Sequence, residues 1–145
     1  MWMTVLLEDG SATDHLFSGE GEGLGGGYGI PKHIDQLDAA SRQLGLPSFA
    51  GFITVGDDGD PWFDPAAGLA CVRGLLRWLA GAGPGEQRQM AANTVWGQIG
   101  ALPPTMYEVV GPAVAAGVAA DLRAFEIVLA HAAERETRFQ LYLSC

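Results

Sequence analysis

Two Asp-Gly pairs, Asp9-Gly10 and Asp58-Gly59, constrain this chain most. Each sits between short runs rich in apolar and β-branched residues: "TVLLEDGSATDHLF" around the first, "FITVGDDGDPWF" around the second. Asp-Gly between such runs reads as a tight hairpin turn, because glycine takes the positive φ that a two-residue connection demands. The spacing predicts strands over 3–8 and 11–17, and a second pair from Phe52–Val55 and Trp62–Phe63. A final segment, "TRFQLYLSC", alternates: Phe139, Leu141 and Leu143 on one side, Arg138, Gln140 and Tyr142 on the other. That is the pattern of a half-buried strand.

Helical spacing fills the rest. Pro31 suits the first turn of a helix carrying Ile34, Leu37 and Leu44, and Gly45 ends it. Asp64 is an N-cap with Pro65 at the first helical position of 65–80. Its apolar stripe is Leu69, Val72, Leu76 and Leu79, with Arg73 and Arg77 in solvent; Cys71 reads as a buried thiol. A break at 82–85 precedes a helix over Glu86 to Ile99, stopped by Pro103-Pro104. Thr105 to Glu108 spells a capping box. Pro112 to Glu136 forms one long helix with Leu122, Phe125, Val128, Leu129 and Ala132 inward. Trp62, Trp78 and Trp96 belong to the core or its rim, and Trp2 packs on an edge or a partner.

This order is not a regular strand–helix alternation. It predicts a single α+β domain over 1–145, with a mostly antiparallel sheet covered on one face by three to four helices. The length suits one domain, and 48% hydrophobic against 17% charged residues provides a core.

Between the first strands and the first helix lies "SGEGEGLGGGYGI", a glycine-rich loop at 18–30 that holds seven of the chain's 21 glycines. Gly21 to Gly26 spells G-x-G-x-x-G, but the phosphate-binding version runs directly from a strand into a helix. Here the strand ends near Phe17, the helix starts near Pro31, and Glu20 and Glu22 would repel a phosphate. Lys32 stands between Pro31 and His33, so the Walker pattern fails as well. Unstructured connections of about a dozen residues are either simple linkers or working loops. The second reading makes Tyr28 the aromatic anchor of a loop that orders on a partner.

The charge is lopsided. Eleven acids and two bases precede Pro65, a balance of −9, and the six acids and six bases that follow cancel. Such a field repels nucleic acid and anionic membranes and attracts basic proteins. The acids on turn tips, Glu20, Glu22, Asp57, Asp58 and Asp60, are the candidate partner contacts, with Tyr28. Asp64 is occupied as a cap. The acidic run does not follow the EF-hand spacing, since Trp62 occupies the fifth position counted from Asp58, and no metal or other cofactor is expected. No nucleophile elbow, H-E-x-x-H or C-x-x-C occurs, so no catalytic residue is assigned. His15, His33 and Cys71 are catalytic candidates only if the fold brings them to a pocket.

The start, "MWMTVLLEDG", lacks the basic flank and small-residue cleavage site of a leader. The longest apolar run, Val109 to Ala120, is broken by Gly111-Pro112 and too short for a bilayer. Two cysteines, Cys71 and Cys145, make no disulfide framework. A reducing, bacterial-type cytoplasm is expected. The sequence supports two functions: a non-enzymatic, immunity- or antitoxin-like binder of a basic protein, able to form homo-oligomers, or a small enzyme or ligand binder with a pocket under the glycine loop.

Overall fold

The computed structural model describes residues 2–11 and 30–144. The predicted strand 11–17, the glycine loop up to residue 29, His15, Glu20, Glu22 and Tyr28 lie outside the described residues, apart from Ser11. The fold is α+β, with five α-helices and a small mixed sheet among the described residues.

The C-terminal segment is the central strand. β3 (Phe139–Ser144) lies between β1 (Trp2–Leu7) and β2 (Ile53–Thr54), antiparallel to the first and parallel to the second. Met3, Val5 and Leu7 of β1 and Phe139 and Leu141 of β3 face the core. After β1 the chain turns, with Gly10 at φ 79° and its N–H donating to Leu7 O; the strand expected to pair with β1 across this turn lies outside the described residues, apart from Ser11.

The second hairpin does not form. Asp58-Gly59 does make a turn, with Gly59 at φ 90°, but the flanking segments do not pair with each other. Ile53–Thr54 runs parallel to β3, and Phe63 makes an isolated antiparallel bridge to Phe139. The sheet is therefore mixed: antiparallel along the six residue pairs of β1 with β3, as expected, but parallel along the two of β2 with β3. The cause is an aromatic cluster: the Phe139 ring lies 5.3 Å from Phe52, 6.1 Å from Phe63 and 5.8 Å from Phe125. Both segments bring a phenylalanine to the same ring, and tilted and edge-on aromatic contacts at these distances stabilise that arrangement beyond area burial.

The helices begin with α1 (Ile34–Gln43), preceded by a 3-10 turn at Ile30–His33. Leu37 is buried and Gly45 stands at φ 72° as the stop, but Leu44 is 48% exposed. It occupies the C-cap, where the face has already rotated into water. α2 (Pro65–Ala80) begins at Asp64, whose Oδ1 accepts from Ala66 N at 2.9 Å. Its buried stripe is Leu69, Val72, Leu75 and Leu79; Leu75 is fully buried and Leu76 only half so. Leu69, Val72 and Leu79 are thus buried as expected and only Leu76 gives way, to Leu75, because Gly68 and Gly74 let α2 sink against neighbours. A Cβ at Gly68 would stand 2.7 Å from the Phe139 ring, and one at Gly74 would stand within the Leu46 side chain.

The predicted helix 86–99 is two helices, α3 (Pro84–Asn93) and α4 (Val95–Gln98). Thr94 divides them: its hydroxyl donates back to Ala91 O at 2.7 Å and accepts from Gly97 N at 3.2 Å. Glu86 completes the start of α3 by accepting from Gly83 N at 3.0 Å. The capping box at Thr105–Glu108 does not form. A 3-10 turn at Pro104–Met106 leads into α5 (Tyr107–Glu134) without a side-chain cap, and Glu108 reaches Arg88 instead.

α5 also starts upstream of its expected origin, running through Pro112. Proline normally forces the preceding residue out of the helical region, partly by a clash with its Cβ. Here that residue is Gly111, and a Cβ there would lie 2.6 Å from Gln87 O. The missing side chain thus relieves the clash and admits α3. The expected inward face, Leu122, Phe125, Val128, Leu129 and Ala132, is fully buried. No helix among the described residues is long and apolar enough to cross a membrane.

Candidate functional site

The acidic turn is built between β2 and α2. Gly56 leaves β2 at φ 87°, and a Cβ there would stand 2.8 Å from the Tyr142 ring. Asp60 then closes the loop: its Oδ2 accepts from Gly56 N at 3.1 Å and Asp57 N at 2.9 Å, while its own N–H donates to Asp57 O at 3.1 Å. From β3, the Gln140 amide donates to Asp60 O and Pro61 O, both at 3.1 Å. Gln140 is therefore buried rather than turned to solvent with Arg138.

The result is a braced tip with Asp57 and Asp58 exposed. Among the described residues neither carboxylate has an ion-pair partner. Asp60 is not a free contact. It is spent on two backbone amides, and sequence reasoning gave that structural role to Asp58 instead.

The −9 of the first half is partly met by the second. The Arg138 guanidinium donates to both oxygens of Glu8 at 2.8 and 2.6 Å, and Arg135 meets Asp9 at 2.8 Å. Ser11 donates to Asp9 through its hydroxyl and its amide, and these bonds with Arg135 hold the Asp9 carboxyl down at about 2. Asp38 is similarly engaged. Burial alone would raise it, but the Ser48 hydroxyl, the Ala50 amide and Arg42 together hold it below the usual carboxylate range. What remains for a partner among the described acids of this half is chiefly Asp57, Asp58 and the exposed Asp35.

A second feature is an open polar groove of about 410 Å³ lined by Lys32, Asp35, Gln36, Gln89, Asn93 and Gln98. Asn93 organises it. Its Nδ2 donates to Gln36 Oε1 at 2.8 Å and lies 3.2 Å from His33 Nδ1, and its Oδ1 accepts from Gln89 at 2.8 Å. Gln36 in turn donates to Glu86 O at 3.1 Å. This network ties the start of α1 to α3, and His33 is buried behind it rather than lining the groove. At Ile30, where the described chain resumes, the backbone amide donates to Asp121 Oδ2 at 3.1 Å. Burial pushes the Asp121 carboxyl up, against that bond. Sequence reasoning missed Asp121 and Asn93; an acid three residues beyond Val118 on the buried stripe of α5 was the available sign.

Cys71 is fully buried, and burial raises its thiol to about 12, the setting of a core residue and not a nucleophile. His131 is exposed on α5. Among the described residues no group of three His, Cys, Asp or Glu side chains could hold a metal ion. No protein-family model, curated protein or solved structure matches this chain.

Proposed function

We propose that this chain is a non-enzymatic interaction module that engages a basic protein in the cytoplasm through its acidic N-terminal half, in the general manner of an immunity or antitoxin protein. The observation that carries the reading is the braced tip. Asp57 and Asp58 are exposed on a loop held by Asp60 and Gln140, so presenting them to a cationic surface requires no ordering of their backbone at the moment of binding. Exposed carboxylates of one sign speed association with a basic partner and repel nucleic acid. Glu20, Glu22 and Tyr28 are the proposed further contacts.

The test is a pull-down from native cell lysate with immobilised parent and with the double variant Asp57→Asn/Asp58→Asn, at low and high salt. A basic protein held by the parent at low salt, released at high salt and lost with the variant supports the reading. Equal capture by both forms overturns it.

A second reading rests on the groove beside Asn93: a small polar ligand held by Lys32, Asp35 and the amides of Gln36, Gln89 and Gln98. Substituting Asn93→Ala should then abolish ligand-induced NMR shifts at Gln36 and Gln89 in a screen of small polar metabolites. An absence of any such shifts in the parent rejects it.

A further inference from the structure

The corner where α4 gives way to α5 leaves four large apolar side chains in water. Trp96 is 53% exposed, Ile99 65%, Met106 40% and Val109 64%. Backbone bonds fold this stretch onto itself: Ala101 N and Leu102 N both donate to Trp96 O, at 3.0 and 3.1 Å, and Met106 N donates to Pro103 O at 2.9 Å. Met106 and Val109 are three apart at the start of α5 and share a face. Trp96, expected in the core or its rim, stands outward because Thr94 breaks the helix just before it. Together the four side chains expose roughly 400 Å² of apolar surface, within the range of the largest patches that monomers carry and that often prove functional.

We propose that this corner is the interface of a homodimer, a second copy of the chain seated across a two-fold axis. The rim chooses a copy of itself, because it is self-complementary. Arg88 and Glu108 stand 3.6 Å apart with side chains 46% and 77% exposed, and the Arg88 guanidinium sits 5.5 Å over the Tyr107 ring. A two-fold contact places the same patch on both sides, so Arg88 of one protomer can meet Glu108 of its partner, twice. That roughly 400 Å² is about half of the ~800 Å² per partner of a standard interface. The proposal does not depend on the acidic tip, which lies in the other half of the chain.

The test is sedimentation equilibrium on the full chain up to about 100 µM, a range that captures even weak dimers. The parent should dimerise. Trp96→Asp should raise the dissociation constant at least about ten-fold while keeping the parent's circular dichroism, since an aromatic at an interface centre carries a large share of affinity. Charge reversal gives an independent arm. Arg88→Glu alone and Glu108→Arg alone should each self-associate less than the parent, because like charges then face across the axis. An equimolar mixture of the two should form a heterodimer tighter than either homodimer. A parent that stays monomeric overturns the proposal, as does a mixture that associates no better than its components.

Discussion

The packing of α2 onto the central strand can be tested at Gly68. A Cβ there would stand 2.7 and 2.8 Å from Cζ and Cε1 of Phe139 and 3.0 Å from Cδ1 of Leu129. Neither neighbour can yield freely: both are fully buried, and the Phe139 ring is flanked by Phe52, Phe63 and Phe125. Two effects oppose each other in Gly68→Ala. Alanine is the better helix former by about 0.8–1 kcal/mol. Overpacking a close core costs about 1–3 kcal/mol. The second wins, for a net loss of about 0.5–2 kcal/mol. In a Phe139→Leu background the two offending ring atoms are gone, so the steric cost shrinks and the helix preference of alanine reasserts itself. Gly68→Ala should then be neutral or stabilising, and the coupling in a double-mutant cycle should reach about 1–2 kcal/mol. Urea unfolding followed by tryptophan fluorescence measures all four corners of the cycle. Effects that add within about 0.5 kcal/mol would refute the claim that α2 rests on Phe139 through this glycine.

Three further outcomes follow from other sites. Leu75→Ala should cost about 2–5 kcal/mol and the half-buried Leu76→Ala distinctly less, by chemical denaturation; the reverse order would put the stripe back on its sequence-expected face. Asp60→Ala should speed hydrogen exchange at the Gly56 and Asp57 amides and lower stability by about 0.5–1.5 kcal/mol, whereas Asp58→Asn should do neither. The folded-state Asp9 carboxyl sits at about 2, below its unfolded value, so its stabilisation is present above the unfolded pKa and is lost as pH falls through about 2. Asp9→Asn should therefore flatten the acid side of the stability–pH curve below about pH 4 and leave the neutral side's slope unchanged. An unchanged acid limb would show that the Ser11 and Arg135 contacts do not persist in solution.

Local chemistry in this chain was legible where a residue acts on its own neighbourhood. Asp64-Pro65 starts α2, Gly45 ends α1, and the buried stripe of α5 follows directly from helical spacing. The misreadings of the second hairpin and of the α2 stripe involve distant partners. Nothing near Asp58-Gly59 shows that Phe52 and Phe63 both seek Phe139, some eighty residues away in sequence. That shared ring converts an expected hairpin into one parallel and one antiparallel contact with β3. Leu75 displaced Leu76 because two glycines let α2 sink toward Leu46 and Phe139, which periodicity alone cannot show. At the candidate site, the presence of exposed acids at 57 and 58 was readable. The division of labour was not, because Asp60 is committed by backbone amides whose orientation only the folded loop defines. Likewise the first half's charge was countable, but Arg135 and Arg138 neutralise Asp9 and Glu8 across the whole length of the chain.

The central claim is that exposed acids on a braced tip drive association with a basic protein. It is tested most directly by the association rate of the captured partner, measured by surface plasmon resonance for the parent and for Asp57→Asn/Asp58→Asn over a series of salt concentrations. The account predicts that the parent's rate falls steeply as salt shortens the ~10 Å screening length of 0.1 M solution, and that the variant binds more slowly at low salt with a flatter dependence. Equal rates and equal salt slopes for the two proteins would contradict it.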